Sequence, residues 1–461
     1  MTETKTKSAG EESLQPQEHR IMGNVSYLFA WLGGCVSIGT FAMGSSLIGT
    51  LNLTQAILAM FIGCFIISLG ITINGKAGHK YGIPFTVQAR SAFGFSGTKI
   101  SGFIRAFPAI VWFGFQSWIG AGALNEVSKT LIGYDNIIFY FIAFQFLQIA
   151  LSLLGFKGIK WLENIGSVFI IAALSYMLYS VVNKYGTVIT NEIVNIEGTW
   201  GWPFWAGATS FLGIYSTMIL NASDYSRELV KRTRQPMICV IYNAAILPAT
   251  LFMGLIGLIV SGATGSADPI SVFSSVVDNQ VLLIITLLFI TFAQVTTNVL
   301  NNIIPPVYVL MDSMNLSFKK SVVIIGLLSF GTFPWELVQP ESADGLRYFV
   351  LGYSMFLGPI FGIMFTDFYL LRKGKLSVDA LYDAAGPFRG INPLALISLA
   401  GGALCGYFFL DISWFIGFGV SAVAYYFLMK TQASRFRAGT VFEEKGYRGE
   451  QREEQTENAA G

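Results

Sequence analysis

The residues best equipped for chemistry lie where charge is missing. Trp112 and Gln116 stand four apart in the stretch AIVWFGFQSWIG (residues 109–120), so on a helix they share one face. An indole beside a carboxamide suits a flat ligand with hydrogen-bonding edges. The ring stacks, worth about 0.5–1.5 kcal/mol beyond area burial, and the amide pairs with an N–H or a C=O. The same pair also fits plain helix packing, with Gln bonded to a neighbouring helix and Trp filling a gap. A denser cluster follows: Thr291, Gln294, Thr296, Thr297, Asn298, Asn301 and Asn302. Asn298 and Asn302 share one face; Ala293, Thr296 and Thr297 form another. Threonine hydroxyls with free carbonyls make a hard, neutral oxygen site suited to Na⁺. Pro305 and Pro306 bring no N–H and so free carbonyls upstream. The competing reading is polar glue between helices. Glycines mark two further stretches, Trp31-Leu-Gly-Gly-Cys-Val-Ser37 and the one containing Gly207, Gly213, Tyr215 and Asn221. Glycines in corresponding helices of two halves point to helices broken at a binding site, although glycine also serves close packing in membranes.

Composition dictates what carries these residues. Of 461 residues 53% are hydrophobic and only 12% charged, about half the share of a soluble domain. This excludes a soluble enzyme, a disordered chain and a nucleic-acid binder. Residues 21–75 hold no Asp, Glu, Lys, Arg or His, enough for two crossings at about 20 residues each. Further charge-free runs are 106–125, 136–156, 164–183, 198–223, 235–267, 279–311, 321–335, 348–366, 390–410 and 412–429. They predict an all-α integral membrane protein of 12 transmembrane helices, because lipid cannot satisfy an open backbone. Run 321–335 is the shortest and needs Lys319 and Lys320 to snorkel. Placing both termini and the even-numbered connections on one side gathers 26 of the 29 Lys and Arg residues there, leaving Lys129, Lys184 and Arg347 opposite. That bias makes both termini cytoplasmic and the protein multi-pass in the cell membrane. Residues 1–20 and 430–461 read as polar tails, the ends beyond 20 and 432 as disordered. Spans 1–5 (21–183) and 6–10 (198–373) form two halves of five helices, hence inverted in topology, followed by spans 11 and 12 (390–429).

Several chemistries are absent. Cys35, Cys64, Cys239 and Cys405 are scattered, and His19 and His79 lie outside the spans. No nucleotide-binding glycine loop and no catalytic triad pattern occurs, so neither an ATP-driven pump nor a membrane protease is expected. Glu126, Glu163, Asp224, Asp312 and Asp367 sit near span ends. A proton relay wants a carboxylate or His at membrane depth, so Na⁺ is favoured over H⁺ as coupling ion and a neutral molecule as substrate. A channel or a non-transporting receptor remains a rival. An amino-acid/cation symporter would need donors for a carboxylate, which Gly33 and Gly34 could supply, but the Trp–Gln pair would then be idle.

WLGGCVS (31–37), GHKYGIPFTVQARSAFG (78–94), WFGFQSW (112–118), LNASDYSR (220–227), AQVTTNVLNNIIPP (293–306) and LGPIFGIMFTDFYLLRK (357–373) resemble the nucleobase–cation symport-1 family of hydantoin, allantoin, cytosine, uracil and purine permeases. The resemblance implies a leucine-transporter-type 5+5 inverted repeat with two added C-terminal helices, and a symporter for a neutral planar N-heterocycle. It implies that Trp112 stacks, Gln116 hydrogen-bonds, and Asn302 binds substrate with Asn298 beside it. It also implies a Na⁺ site of carbonyls from Gly33, Val36 and Ala293 with hydroxyls from Thr296 and Thr297. Two positions depart from the hydantoin carrier: Tyr215 stands for its second stacking tryptophan and Ser37 for its first-helix glutamine. The tyrosine ring is smaller but still able to sandwich a planar ligand and adds a hydroxyl, while the serine shortens the reach and enlarges the pocket; both changes point away from hydantoin itself, and a bicyclic purine could use the added room. The expected partners are this small molecule and membrane lipid, with no nucleic acid, and the expected state is a monomer.

Overall fold

The computed structural model describes residues 14–153, 160–339 and 342–431, all of it built on helices; among the described residues the only strand-like pairings are the isolated bridges Met22–Leu229 and Gln339–Ser342. The expected tails at 1–13 and 432–461, and the connection at 154–159, lie outside the described residues. The principal helices are α1 (Asn24–Cys35), α2 (Ile38–Ser45), α3 (Leu53–Asn74), α4 (Gly97–Ile132), α5 (Ile137–Ser152), α6 (Lys160–Ile189), α7 (Trp202–Leu220), α8 (Ala222–Ser226) and α9 (Gln235–Thr264). They continue with α10 (Gln280–Asn298), α11 (Ile304–Met314), α12 (Phe318–Leu328), α13 (Asp344–Phe365), α14 (Pro393–Phe408) and α15 (Ser413–Thr431). Five stretches are each long and apolar enough to cross a bilayer, and seven are when two bent pairs count as one span each. Large apolar side chains such as Val25, Phe107, Leu404 and Tyr407 face outward, as a lipid environment permits.

Three interruptions shape the interior. α1 and α2 form one bent pair, turned by 47°. Val36 (φ −79°, ψ 83°) and Ser37 (φ −125°, ψ 135°) leave helical geometry, and the Ser37 hydroxyl caps α2 by accepting from the Gly39 N–H at 3.2 Å. α7 kinks into α8 at Asn221 (φ −92°, ψ 26°). The run expected as a single eighth span divides at a π-helical turn, Val299–Ile303, where the Ile304 N–H reaches back to the Val299 carbonyl. Pro305 and Pro306 cannot donate to the ladder, and a wider turn is a common answer to missing donors. α11 and α12 then double back at 118°, so the short run at 321–335 is the return arm of a helical hairpin.

Packing sorts the helices into groups. α1, α2, α3, α7 and α9 contact one another, as do α4, α5, α10, α11 and α12; α13, α14 and α15 form a third group against α7, and α6 touches both α1 and α10. α2 meets α9 backbone to backbone: a Cβ on Gly44 would lie 2.0 Å from the Gly254 carbonyl oxygen, and one on Gly257 would lie 1.9 Å from that of Phe41. Small residues allow such approach in membranes.

Two sequence expectations are corrected. The disordered reading of residues 1–19 fails for its last part. The Gln17 N–H bonds the Gly82 carbonyl (3.0 Å), the Gln17 amide bonds Glu228 (2.8 Å), Tyr382 donates to the Leu14 carbonyl, and Met22 exchanges backbone bonds with Glu228 and Val230. The segment is polar because it binds polar partners. Arg105, expected in a connection, is fully buried in α4.

Candidate functional site

Trp112 sits midway along α4, against the first turn of α2. A Cβ on Gly39 would lie 2.7 Å from the indole Cζ3, so glycine there lets the ring reach the backbone. The Trp112 Nε1–H donates to the Tyr353 hydroxyl (3.1 Å), which donates to the Gly213 carbonyl (2.9 Å). α13 thereby links the ring on α4 to α7, two residues from Tyr215. The Tyr215 hydroxyl donates to the Cys35 carbonyl (3.3 Å) and is hydrogen-bonded to the Thr250 hydroxyl (3.0 Å). Tyr215 thus meets the last residue of α1 while Trp112 meets the first turn of α2. The two aromatic residues bracket the break at Val36–Ser37.

Gln116 lies one turn beyond Trp112 and is only 6% exposed, yet its Oε1 has no hydrogen-bond partner. A buried carbonyl left unpaired costs about 1–3 kcal/mol. An N–H from a bound molecule would remove that penalty. Gln294 Oε1 on α10 is buried and unpartnered in the same way.

The two asparagines have different positions. The Asn298 amide donates to the Phe113 carbonyl (2.9 Å), Ser117 (3.2 Å) and Gln148 Oε1 (2.9 Å), while its Oδ1 accepts from Asn302 (2.8 Å). Asn298 is therefore occupied in joining α10 to α4 and α5, and it orients Asn302 instead of facing a ligand. Asn302 lies in the π turn and keeps its own Oδ1 for another donor. Ser37 has one acceptor lone pair taken up by the cap of α2 and retains its proton.

Of the expected ion ligands, the Gly33 carbonyl accepts from the Val36 N–H at 3.1 Å, which leaves one lone pair, and Val36 lies in the break itself. Thr297 is buried on α10. Ala293 and Thr296 belong to the same helix, but their side chains lie outside the described residues. A hollow of about 50 Å³ is lined by Gly34 and Cys35 at the end of α1, Asn301 from the π turn, and Trp31, Tyr225 and Glu228, so the end of α1 and the π turn face each other. Among the described residues no three His, Cys, Asp or Glu side chains are grouped to hold a metal.

Sequence reasoning missed two features. Tyr353 gives no local signal, being one tyrosine in an apolar helix. Arg105 donates from Nε (3.1 Å) and Nη2 (2.7 Å) to Asn221 Oδ1 at the α7–α8 kink. The arginine's position at the edge of a charge-free run suggested a loop.

A broken helix, an aromatic pair across the break and unpaired amides, all inside an apolar helical bundle, define a membrane permease. A sequence profile of permeases for cytosine/purines, uracil, thiamine and allantoin matches residues 15–428, and the chain belongs to that family, nucleobase–cation symport-1. It is 29% identical to the allantoin permease of Bacillus subtilis, covering 91% of this chain and 93% of the relative. It is 27% identical to the hydantoin permease of Microbacterium maritypicum, over 82% and 79% of the two chains. The fold matches Mhp1 in its inward-facing form (TM-score 0.85, 23% identity, 96% and 98% of the chains). It matches Mhp1 closed around bromovinylhydantoin equally well (TM-score 0.85, 24% identity, 95% and 98%).

Proposed function

We propose that this chain is a secondary active symporter that imports a neutral planar N-heterocycle (a nucleobase, allantoin or a hydantoin) together with Na⁺, with H⁺ as the alternative coupling ion. The observation that carries the reading is the pair Trp112 and Tyr215 on either side of the α1–α2 break, with the unpaired Gln116 carbonyl one turn along α4 from Trp112. The ring lies between the two aromatics, Gln116 and Asn302 pair with its polar edges, and Ser37 offers its hydroxyl proton. Asn298 holds Asn302 in place. Na⁺ takes carbonyls of Gly33, Val36 and Ala293 and hydroxyls of Thr296 and Thr297. The chain crosses the cell membrane twelve times as a 5+5 inverted repeat plus two helices, with both termini cytoplasmic, and works as a monomer. Alternating access rocks one helix group against another around the break.

Tryptophan-fluorescence titration of the purified protein tests this, using nucleobases, allantoin, hydantoins and amino acids with and without Na⁺. Saturable quenching by one heterocycle class, strengthened by Na⁺, is expected; a response to amino acids alone defeats the reading. Ion and substrate stabilise one state, so their affinities are linked reciprocally. Thr297→Ala should weaken Na⁺ binding about tenfold, equivalent to about 1.4 kcal/mol, and substrate binding with it. An unchanged Na⁺ dependence removes Thr297 from the site.

A further inference from the structure

A second cavity, about 260 Å³, lies at the C-terminal ends of α2 and α9, away from the start of α1. It is lined where α2 ends (Ser45, Ser46), where α9 ends (Ser261, Ser266), and by Ser342 and Asp344, the latter the first residue of α13. Helix C-termini carry partial negative charge, and two of them converge here, with the Met43, Gly44, Ser45 and Ser261 carbonyls already accepting turn N–H bonds. The hydroxyls of Ser45 and Ser46 donate to the Ala42 and Met43 carbonyls at 2.7 Å, so their lone pairs remain to serve as ligands. Ser261 is 1% exposed, lines the cavity, and its Oγ has no partner; the Ser266 Oγ is likewise buried and unpartnered. Asp344 supplies a carboxylate whose Oδ1 stands 3.6 Å from Arg347 Nε.

We propose that this cavity binds a partly hydrated Na⁺. Hydroxyl and carbonyl oxygens with a single carboxylate suit a hard monovalent cation. The volume accommodates the ion with several waters at about 30 Å³ each. Among the described residues no aromatic side chain lines it, so a flat heterocycle finds no stacking face there. The surroundings draw cations: the Lys and Arg residues assigned to this end are Lys129, Lys184 and Arg347, against Asp268, Asp278, Glu336 and Asp344 among others. The ion would sit at the far end of α2, about 12 Å along the helix from Ser37. The choice of sodium rests on the coupling reading above, while the site rests on the cavity.

Equilibrium binding of ²²Na⁺ to the full chain in detergent, with choline replacing Na⁺ as control, tests it. Ser261→Ala with Asp344→Asn should remove about half of the saturable Na⁺, Thr297→Ala should shift the other half about tenfold to higher Na⁺, and the combination should show both changes. Asp344→Asn alone, at a largely exposed side chain, serves should the pair fail to fold, and should weaken the same half. A binding isotherm in these variants that superimposes on the wild type overturns the proposal. A Thr297→Ala isotherm that superimposes while the cavity variants lose binding refutes the coupling site and leaves this one standing. A wild type that binds no Na⁺ overturns both.

Discussion

Tyr353→Phe is the most informative single change. It removes one oxygen from a buried position and leaves the ring. The Gly213 carbonyl keeps a second donor, the Ser216 hydroxyl at 2.8 Å, so the loss falls on the Trp112 Nε1–H. An indole donor without its acceptor gains by tilting toward any other oxygen. The most it can forfeit in binding is the stacking increment, about 0.5–1.5 kcal/mol. At 1.4 kcal/mol per decade, substrate Kd should rise roughly twofold to tenfold. The assay is fluorescence titration at saturating Na⁺ as a double-mutant cycle with Trp112→Phe. If Tyr353 acts through Trp112, the double variant binds no worse than Trp112→Phe alone, because contacting residues are non-additive. Additive losses would show that Tyr353 acts elsewhere and refute the bridge as the device that aims the indole.

Two further outcomes follow from contacts already described. Gly39→Ala puts a methyl 2.7 Å from the indole and should weaken substrate binding by up to about tenfold while the protein stays folded; an unaltered Kd would mean the ring's position is immaterial. Asn221→Ala strips a buried guanidinium of both its bonds and should cost about 3 kcal/mol, seen as a lower thermal midpoint; Arg105→Met with Asn221→Leu should recover much of it, and no loss in the single variant would contradict the burial argument.

Much of the architecture is legible from where charge is absent. The WLGGCVS stretch locates the helix break because glycine and serine tolerate departure from the ladder, and Pro305–Pro306 foretell the irregularity that becomes the π turn. The aromatic and amide positions stand out because polarity inside an apolar run has no cheap explanation. What stays illegible is pairing over long sequence distance. Asn298 and Asn302 look equivalent on a helical wheel, yet Phe113, Ser117 and Gln148 claim one and not the other. Arg105 looks like a boundary because its partner Asn221 is more than a hundred residues away. Tyr353 resembles any apolar-helix tyrosine until α4 and α7 are both in place. The polar stretch 14–19 reads as solvated because its partners come from three separate connections.

That stretch has a mechanical meaning. Residues 17–22 are sewn to Gly82, Arg227, Glu228 and Val230 and run straight into α1. The short helix α8 ends just before the same stitches. A displacement of α8 would therefore reach the start of α1 through a few backbone bonds, a strap that ties together two helices far apart in the sequence.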